Sequence, residues 1–323
     1  MAFPNVSDLV ATTIESRSGE IADNVTKNNL LLTKLSKRGN VRTISGGTKI
    51  FEELSFAENG NAGYYSGYDT LPVAAQDVLS AAEYAIKQAA CPVTMSGLEM
   101  LQNAGKERVI DLLDGRMDVA ESSMANLLAG GVYSDGTGTG GKEVTGLNAA
   151  VPLAPGTGTY GGINRATWAF WRSKISDNTA AAVTPATIQG LMNALWAQLV
   201  RGMDRPDLIV SDSVVWGIYM ASLQAQQRFT DPETASLGFP VIKFMGCDYG
   251  LDGGIGGFCP AGTLFMLNTK YIFWRPHAQR NMVPLSPNKR YSINQDAEVQ
   301  IIGWAGNLTT SGSQFQGRLD ANG

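Results

Sequence analysis

Hydrophobic positions recur along one stretch of the chain with a helical step. Val109, Leu113, Met117, Ala120, Met124 and Leu127 advance by four and three residues, which places them on one face of a helix. Ser96 and Glu99 have the spacing of a capping box at its start, and Gly130-Gly131 predicts its end after Leu128. Gly105 and Gly115 inside it each cost about 1 kcal/mol relative to alanine. A helix of that length, roughly threefold the usual ~11–12 residues, is a rod across a domain. A second helix is predicted from Thr184-Pro185 through Ile188, Leu191, Leu195 and Leu199 to Gly202. "RPDLIVSDSVVWGIYMASLQAQQRF" then reads as turn, short buried strand and helix, and "GTLFMLNTKYIFW" and "AEVQIIGWAGNL" read as strands.

The N-terminal third follows a different pattern. Residues 1 to 40 are polar apart from the clump in "NNLLLTKLSKRGN". "VRTISGGTKIFEELSF" has patches of strand alternation and leads into the turn-rich "AENGNAGYYSGYDTL", the outline of a long hairpin. The returning "PVAAQDVLSAAEYAIKQAA" is ambiguous, since Ala, Gln, Glu and Lys favour helix while Val78, Ala82, Tyr84 and Ile86 would line one face of a strand. As strands, two arms of ~15 residues would reach roughly 50 Å. A two-stranded ribbon is marginal alone in water, so it would need another molecule to lie on. Helices and strands in separate blocks predict an α+β fold.

Composition sharpens this reading. Of 323 residues 17% are charged, against ~25% in an ordinary domain, which suggests that part of the outer surface is covered by something else. The 37 glycines imply long turns. A net charge of -4 argues against a dedicated nucleic-acid binder. From Lys27 to Phe51 there are nevertheless six basic residues and no acidic one, a solvated arm or a contact with a polyanion or acidic neighbour. Cys91, Cys247 and Cys259 form no metal spacing and no even disulfide framework, which points to reduced thiols and a cytoplasmic setting. No run approaches the ~20 apolar residues of a membrane span, and "MAFPNVSDLV" has no signal-peptide pattern.

Candidate chemistry is sparse. Gly136 to Lys142 reproduces a phosphate-binding loop until Glu143 replaces the magnesium-binding hydroxyl, and it follows a helix where a strand is required. A flexible turn is the better reading. Glu107, Asp111, Asp114 and Asp118 share one helix face without a histidine among them, and read as a solvated or intersubunit charge ridge. His277 is the only histidine, and no Gly-x-Ser-x-Gly elbow exists to partner it. "CDYGLDGGIGGFC" lacks the ligand ladder of a calcium loop. Tyr64, Tyr65 and Tyr68 sit at the expected hairpin tip, where tyrosines make protein contacts. No cofactor, metal or catalytic residue is assigned.

The order of parts, carried by "YSDGTGTGGKEVTGLNAAV", "RPDLIVSDSVVW", "NTKYIFWRPHAQRNMVPL" and "GWAGNLTTSGSQFQGRL", resembles the major capsid protein of tailed bacteriophages with the HK97-type fold. The resemblance covers most of the chain. It implies an N-terminal arm (1–40), an extended E-loop (41–80), a peripheral domain with a long spine helix (81–184 plus 286–323) and an axial domain (185–285). It decides the ambiguous returning segment in favour of extended chain. It further implies self-assembly into hexamers and pentamers of an icosahedral or prolate head around double-stranded DNA, without sequence-specific binding. A portal protein, a separate scaffolding protein and room for a cement or decoration protein go with this, in a virion assembled in the host bacterial cytoplasm. No long helical segment precedes the arm, and closure is expected to be noncovalent: Lys49 lies where some relatives cross-link, but no motif identifies a partner for it. Arg42, Lys49, Glu52, Glu53, Tyr64, Tyr65 and Tyr68, with the acidic ridge, are the expected intersubunit contacts. An encapsulin-like compartment is the alternative within the fold, and a soluble nucleotide-binding or hydrolytic enzyme the alternative outside it.

Overall fold

The computed structural model describes residues 29–102, 106–178, 182–223, 241–252, 257–285, 290–291 and 297–321; for 100–102, 106–114, 290–291 and 298 this covers the backbone alone. The first described segment is a helix, α1 (Leu30–Arg38). The Asn29 side chain accepts from the Leu31 and Leu32 amides, and Gly39 closes the other end at φ 75°. Leu30, Leu31, Leu32 and Leu35 are fully buried. The helix seats closely on the body, because a Cβ at Gly250 would lie 2.1 Å from Leu30 Cδ2. Of the expected N-terminal arm, residues 1–28 lie outside the described ones.

Next come β1 (Lys49–Ser55) and β2 (Leu79–Ala85), an antiparallel hairpin running from the Lys49–Ala85 pair to the Ser55–Leu79 pair. β3 (Lys87–Ser96) continues the extended chain. The ambiguous returning segment is therefore strand, since Ala82 and Tyr84 gain burial on one face that a helix would scatter. Each paired arm spans seven residues, roughly 23 Å at ~3.3 Å per residue. That is half the expected reach, and residues 56–78 form the loop beyond it.

In the region of the expected long helix, Gly97–Gln102 is helical, as is the 28-residue α2 (Lys106–Tyr133). The Ser96 amide donates to Glu99 Oε2 at 3.0 Å, one half of the expected capping box. Met117, Ala120 and Met124 are buried, but Leu128 takes the inward place expected of Leu127, which is half-exposed. Nor does Gly130-Gly131 end the helix. A Cβ there would lie 3.3 Å from Phe258 and 3.2 Å from Val144, so these glycines admit close neighbours.

Two larger sheets follow. β6 (Lys174–Asp177), β7 (Leu208–Ser211), β8 (Val241–Phe244), β9 (Cys247–Leu251), β10 (Thr263–Leu267) and β14 (Gly317–Asp320) form one in the order β6-β14-β10-β7-β9-β8. In the other, β13 (Ala297–Thr310) pairs with β11 (Ile272–Pro284), β12 (Arg290–Tyr291) and β3. A small β4–β5 hairpin (Thr159–Tyr160, Ile163–Asn164) buttresses the region. Helices α3 (Ile188–Leu199) and α4 (Ser213–Ser222) fall where the spacing predicts them. They share one core with Ile209, Leu264 and Met266 from the six-stranded sheet. Leu208, Val210, Phe265 and Leu267 alternate to the opposite face and join a larger core with α1, α2 and the second sheet. The sheet is thus a wall between two cores.

Candidate functional site

The glycine-rich loop after α2 is closed by its own side chains. Glu143 accepts from Ser134 Oγ at 2.8 Å and Thr139 Oγ1 at 3.1 Å. Its carboxyl group lies so near Gly138 that a Cβ there would approach within 2.3 Å. A carboxylate therefore occupies the concave side, where a phosphate-binding loop holds its anion. Lys142 points to solvent. Beside the loop runs a groove of about 980 Å³, lined in part by Leu127, Tyr133, Asp135, Lys142, Glu143 and Phe258.

The other singled-out residues have structural surroundings. His277 Nδ1 accepts from the Gln279 amide at 3.1 Å. The three cysteines are unpaired, and burial pushes the Cys247 and Cys259 thiols well up, away from the thiolate form. Among the described residues no group of three or more His, Cys, Asp or Glu could hold a metal ion. No helix among them is long and apolar enough to cross a membrane. On the acidic ridge, Asp118 is exposed on α2, while the Glu107, Asp111 and Asp114 side chains lie outside the described ones.

Lys34, Arg38 and Lys49 of the basic run pair with carboxylates within the chain. Lys34 and Lys243 both bind Asp248, and Arg38 binds Asp207 at 2.7 Å. Burial works to raise the Asp248 carboxyl, yet hydrogen bonds from the two lysines outweigh it and hold the group below the usual range. Arg42 is exposed and lies 4.8 Å from the Phe273 ring centroid. One half-buried carboxyl goes the other way: burial raises Asp252 despite bonds from Tyr133, the Phe258 amide and Asn29.

The hairpin is the feature with most surface to offer. Tyr64, Tyr65 and Tyr68 are exposed, Tyr64 and Tyr68 completely, as is most of Val73. Phe51, Leu71 and Leu79 add more exposed apolar area along the hairpin. Lys49 pairs with Glu83 across the two strands on the exposed side. Glu53 points outward. Glu52, which the sequence reading groups with these residues, lies on the opposite face. Ile50, Glu52 and Leu54 alternate inward, and the Glu52 carboxylate receives Arg275 Nε at 2.6 Å, Arg275 Nη2 at 2.7 Å and Thr309 Oγ1 at 2.7 Å.

The root of the second arm is equally well held. The buried Tyr84 hydroxyl donates to the Thr310 carbonyl at 2.7 Å, and Asn307 Nδ2 donates to the Ala85 carbonyl at 2.9 Å. Burial and the neighbouring Tyr160 push the Tyr84 hydroxyl well above its usual range, and burial raises Tyr160 to about 12. Both hydroxyls are neutral at any physiological pH. Gly161 lies against the arm with φ 57°, its carbonyl accepting from the Glu83 amide at 2.9 Å. Phe56, Trp168 and Phe170 cluster where the hairpin leaves the body, with Trp168 edge to face against both phenylalanines.

The fold as a whole is shared with solved structures over most of the chain. A chain of the cyanophage A-1(L) capsid asymmetric unit superposes with a TM-score of 0.63 at 17% identity, over 89% of this chain and 92% of that one. The phage capsid fold is what this chain has. The capsid of an empty GTA particle matches at 0.59 and 14% identity, covering 88% of this chain and 89% of that one. A Mycobacterium phage Bobi chain matches at 0.54 and 10%, again covering 88% and 89%. No family model matches the sequence, and no curated protein does. The sequence reading reaches the capsid fold from the order of its parts. It misses α1 and the inward role of Glu52, although Asn29, Gly39 and the alternation around Glu52 carry the signals.

Proposed function

We propose that this chain is a major capsid protein that assembles into hexamers and pentamers of a phage head enclosing double-stranded DNA. The observation that carries the reading is the bare hairpin on a rigid root, within a fold shared with phage capsid chains over most of its length. Such a hairpin gains little by staying in water. It overlaps a neighbouring copy, and contacts repeated around a closed lattice multiply weak binding into a stable shell.

In this reading residues 1–40 are the arm, 41–80 the E-loop, 81–184 with 286–323 the peripheral domain and 185–285 the axial domain. Arg42, Lys49, Glu53, Tyr64, Tyr65 and Tyr68 make the contacts between subunits, together with the α2 ridge of Glu107, Asp111, Asp114 and Asp118. The role is structural and not enzymatic, which fits the self-closed Gly136–Lys142 loop. A portal and a separate scaffolding protein complete assembly in the host cytoplasm, and the chain ends in the virion shell.

Electron microscopy of the purified chain, alone at rising concentration and then with a phage scaffolding protein, tests this. Closed particles or hexameric rings support it, and monomers under both conditions sink it. Shells purified from the host and packed with protein instead of nucleic acid would favour a cargo compartment.

A further inference from the structure

The hairpin belongs to neither large sheet, so no strand pairing fixes the direction in which it leaves the body. Ile50, Leu54, Ala82 and Tyr84 bury its root in the larger core, but apolar contact is non-directional and by itself leaves an arm free to pivot. Directional contacts come from the Gly161 carbonyl, which accepts from the Glu83 amide at 2.9 Å, and from one end of β13. Arg275 stands opposite Asn307 in the β11–β13 register, and Phe273 stands opposite Thr309. From this corner Arg275 grips Glu52 with two nearly equal bonds and Thr309 adds a third. A guanidinium fork on a carboxylate fixes the plane of both groups, which a single bond does not. Asn307 and Thr310, from the same strand end, hold the second arm through Ala85 and Tyr84.

We propose that Glu52, Arg275 and Thr309 form an orientation clamp that sets the angle of the hairpin against the body while contributing little to overall stability. Both ionic side chains are largely buried, with 6% and 15% of their surface exposed. Replacing such a pair by apolar side chains of similar volume is often neutral for folding, because the lost attraction is offset by the desolvation no longer needed. The clamp residues are positioning residues. Their role holds whether or not the hairpin bridges subunits, so the measurement is made on the unassembled chain.

Nitroxide labels at Ser66→Cys in the loop and Ser122→Cys on α2, in a Cys91→Ser background, report the hairpin–body distance by pulsed electron resonance. The otherwise unaltered labelled chain is expected to give one narrow distance. Glu52→Leu combined with Arg275→Met is expected to keep the melting temperature within a few degrees and to lose the narrow peak. A narrow peak at the same distance in the folded double variant overturns the clamp, as does a broad distribution in the unaltered chain. Should the double variant fail to fold, the clamp is more than an orienting device and its small stability share is wrong. Glu52→Gln then decides the orienting role, a broadened peak supporting it and an unchanged one refuting it.

Discussion

Replacing Gly146 with alanine probes how the connector packs on the end of α2. Gly146 is buried at φ -91°, a value alanine adopts freely, so the substitution adds no dihedral strain. The new Cβ, however, would lie 2.3 Å from the Val132 carbonyl oxygen and 2.4 Å from that of Gly131, both fixed in the last turns of the helix. Carbon–oxygen contacts settle near ~3.3 Å, so the connector must withdraw by roughly 1 Å. Withdrawal stretches the bonds from the Gly146 amide to the Ser134 carbonyl and from the Ala150 amide to the Gly146 carbonyl, both 3.1 Å. Overpacking costs about 1–3 kcal/mol and each weakened bond adds up to ~1 kcal/mol, so the expected loss is roughly 2–4 kcal/mol. At ~2–3 °C per kcal/mol for a large domain, the melting temperature should fall by about 4–12 °C. Scanning calorimetry of the unassembled chain measures this beside Gly156→Ala, where nothing lies within 4 Å of the new atom. Equal melting temperatures for the two variants would refute the packing argument.

Other expectations follow from the same contacts. Met124→Ala empties a fully buried site on α2 and should cost about 2–5 kcal/mol in a denaturant titration. Lys142→Ala should change neither the melting temperature nor the absence of any thermal shift with magnesium ATP, because Glu143 already closes the loop. Hydrogen-bond donors hold the Asp204, Asp212 and Asp248 carboxyls below their usual range, against the pull of burial. Depressed in the folded state, they contribute stability above the unfolded value near ~3.9 and lose it as the pH falls through the folded one. Asp252, raised by burial, contributes with the opposite sign, its share being lost as the pH rises through its folded value. An Asp248→Asn variant should therefore show a shallower loss of melting temperature between pH 5 and pH 2 than the native chain. Tyr64, Tyr65 and Tyr68 changed together to serine should leave the melting temperature alone and abolish particles in a sedimentation profile.

Much of this was legible because helices announce themselves by spacing. The four-and-three steps located α2 and α3. The inward place went to Leu128 instead of Leu127 because an alternating three-and-four count drifts against a helix of 3.6 residues per turn. Gly130-Gly131 misled for another reason: glycine also admits a close neighbour, and Phe258 and Val144 are too distant in sequence to be foreseen. The β2 segment shows tertiary context overriding propensity, with Tyr84 and Ala82 buried against the turn at Gly161. Around Glu52 the alternation of Ile50 and Leu54 already placed the carboxylate inside. Nothing local could name Arg275, 223 residues away, as its partner.

β14 is the latest described strand in the sequence, yet it lies inside the six-stranded sheet, between β6 and β10. It runs parallel to β6 and antiparallel to β10. Until it arrives, β6 has no strand to join and the edge of β10 stands open. During synthesis the wall between the cores therefore waits for nearly the whole described chain to emerge, so the sheet is completed late and through long-range pairing. A chain cut short before Gly317 would expose a raw sheet edge, the kind of surface on which unfinished chains associate. Closure of the wall between the two cores is thus tied to the arrival of a strand only four residues long.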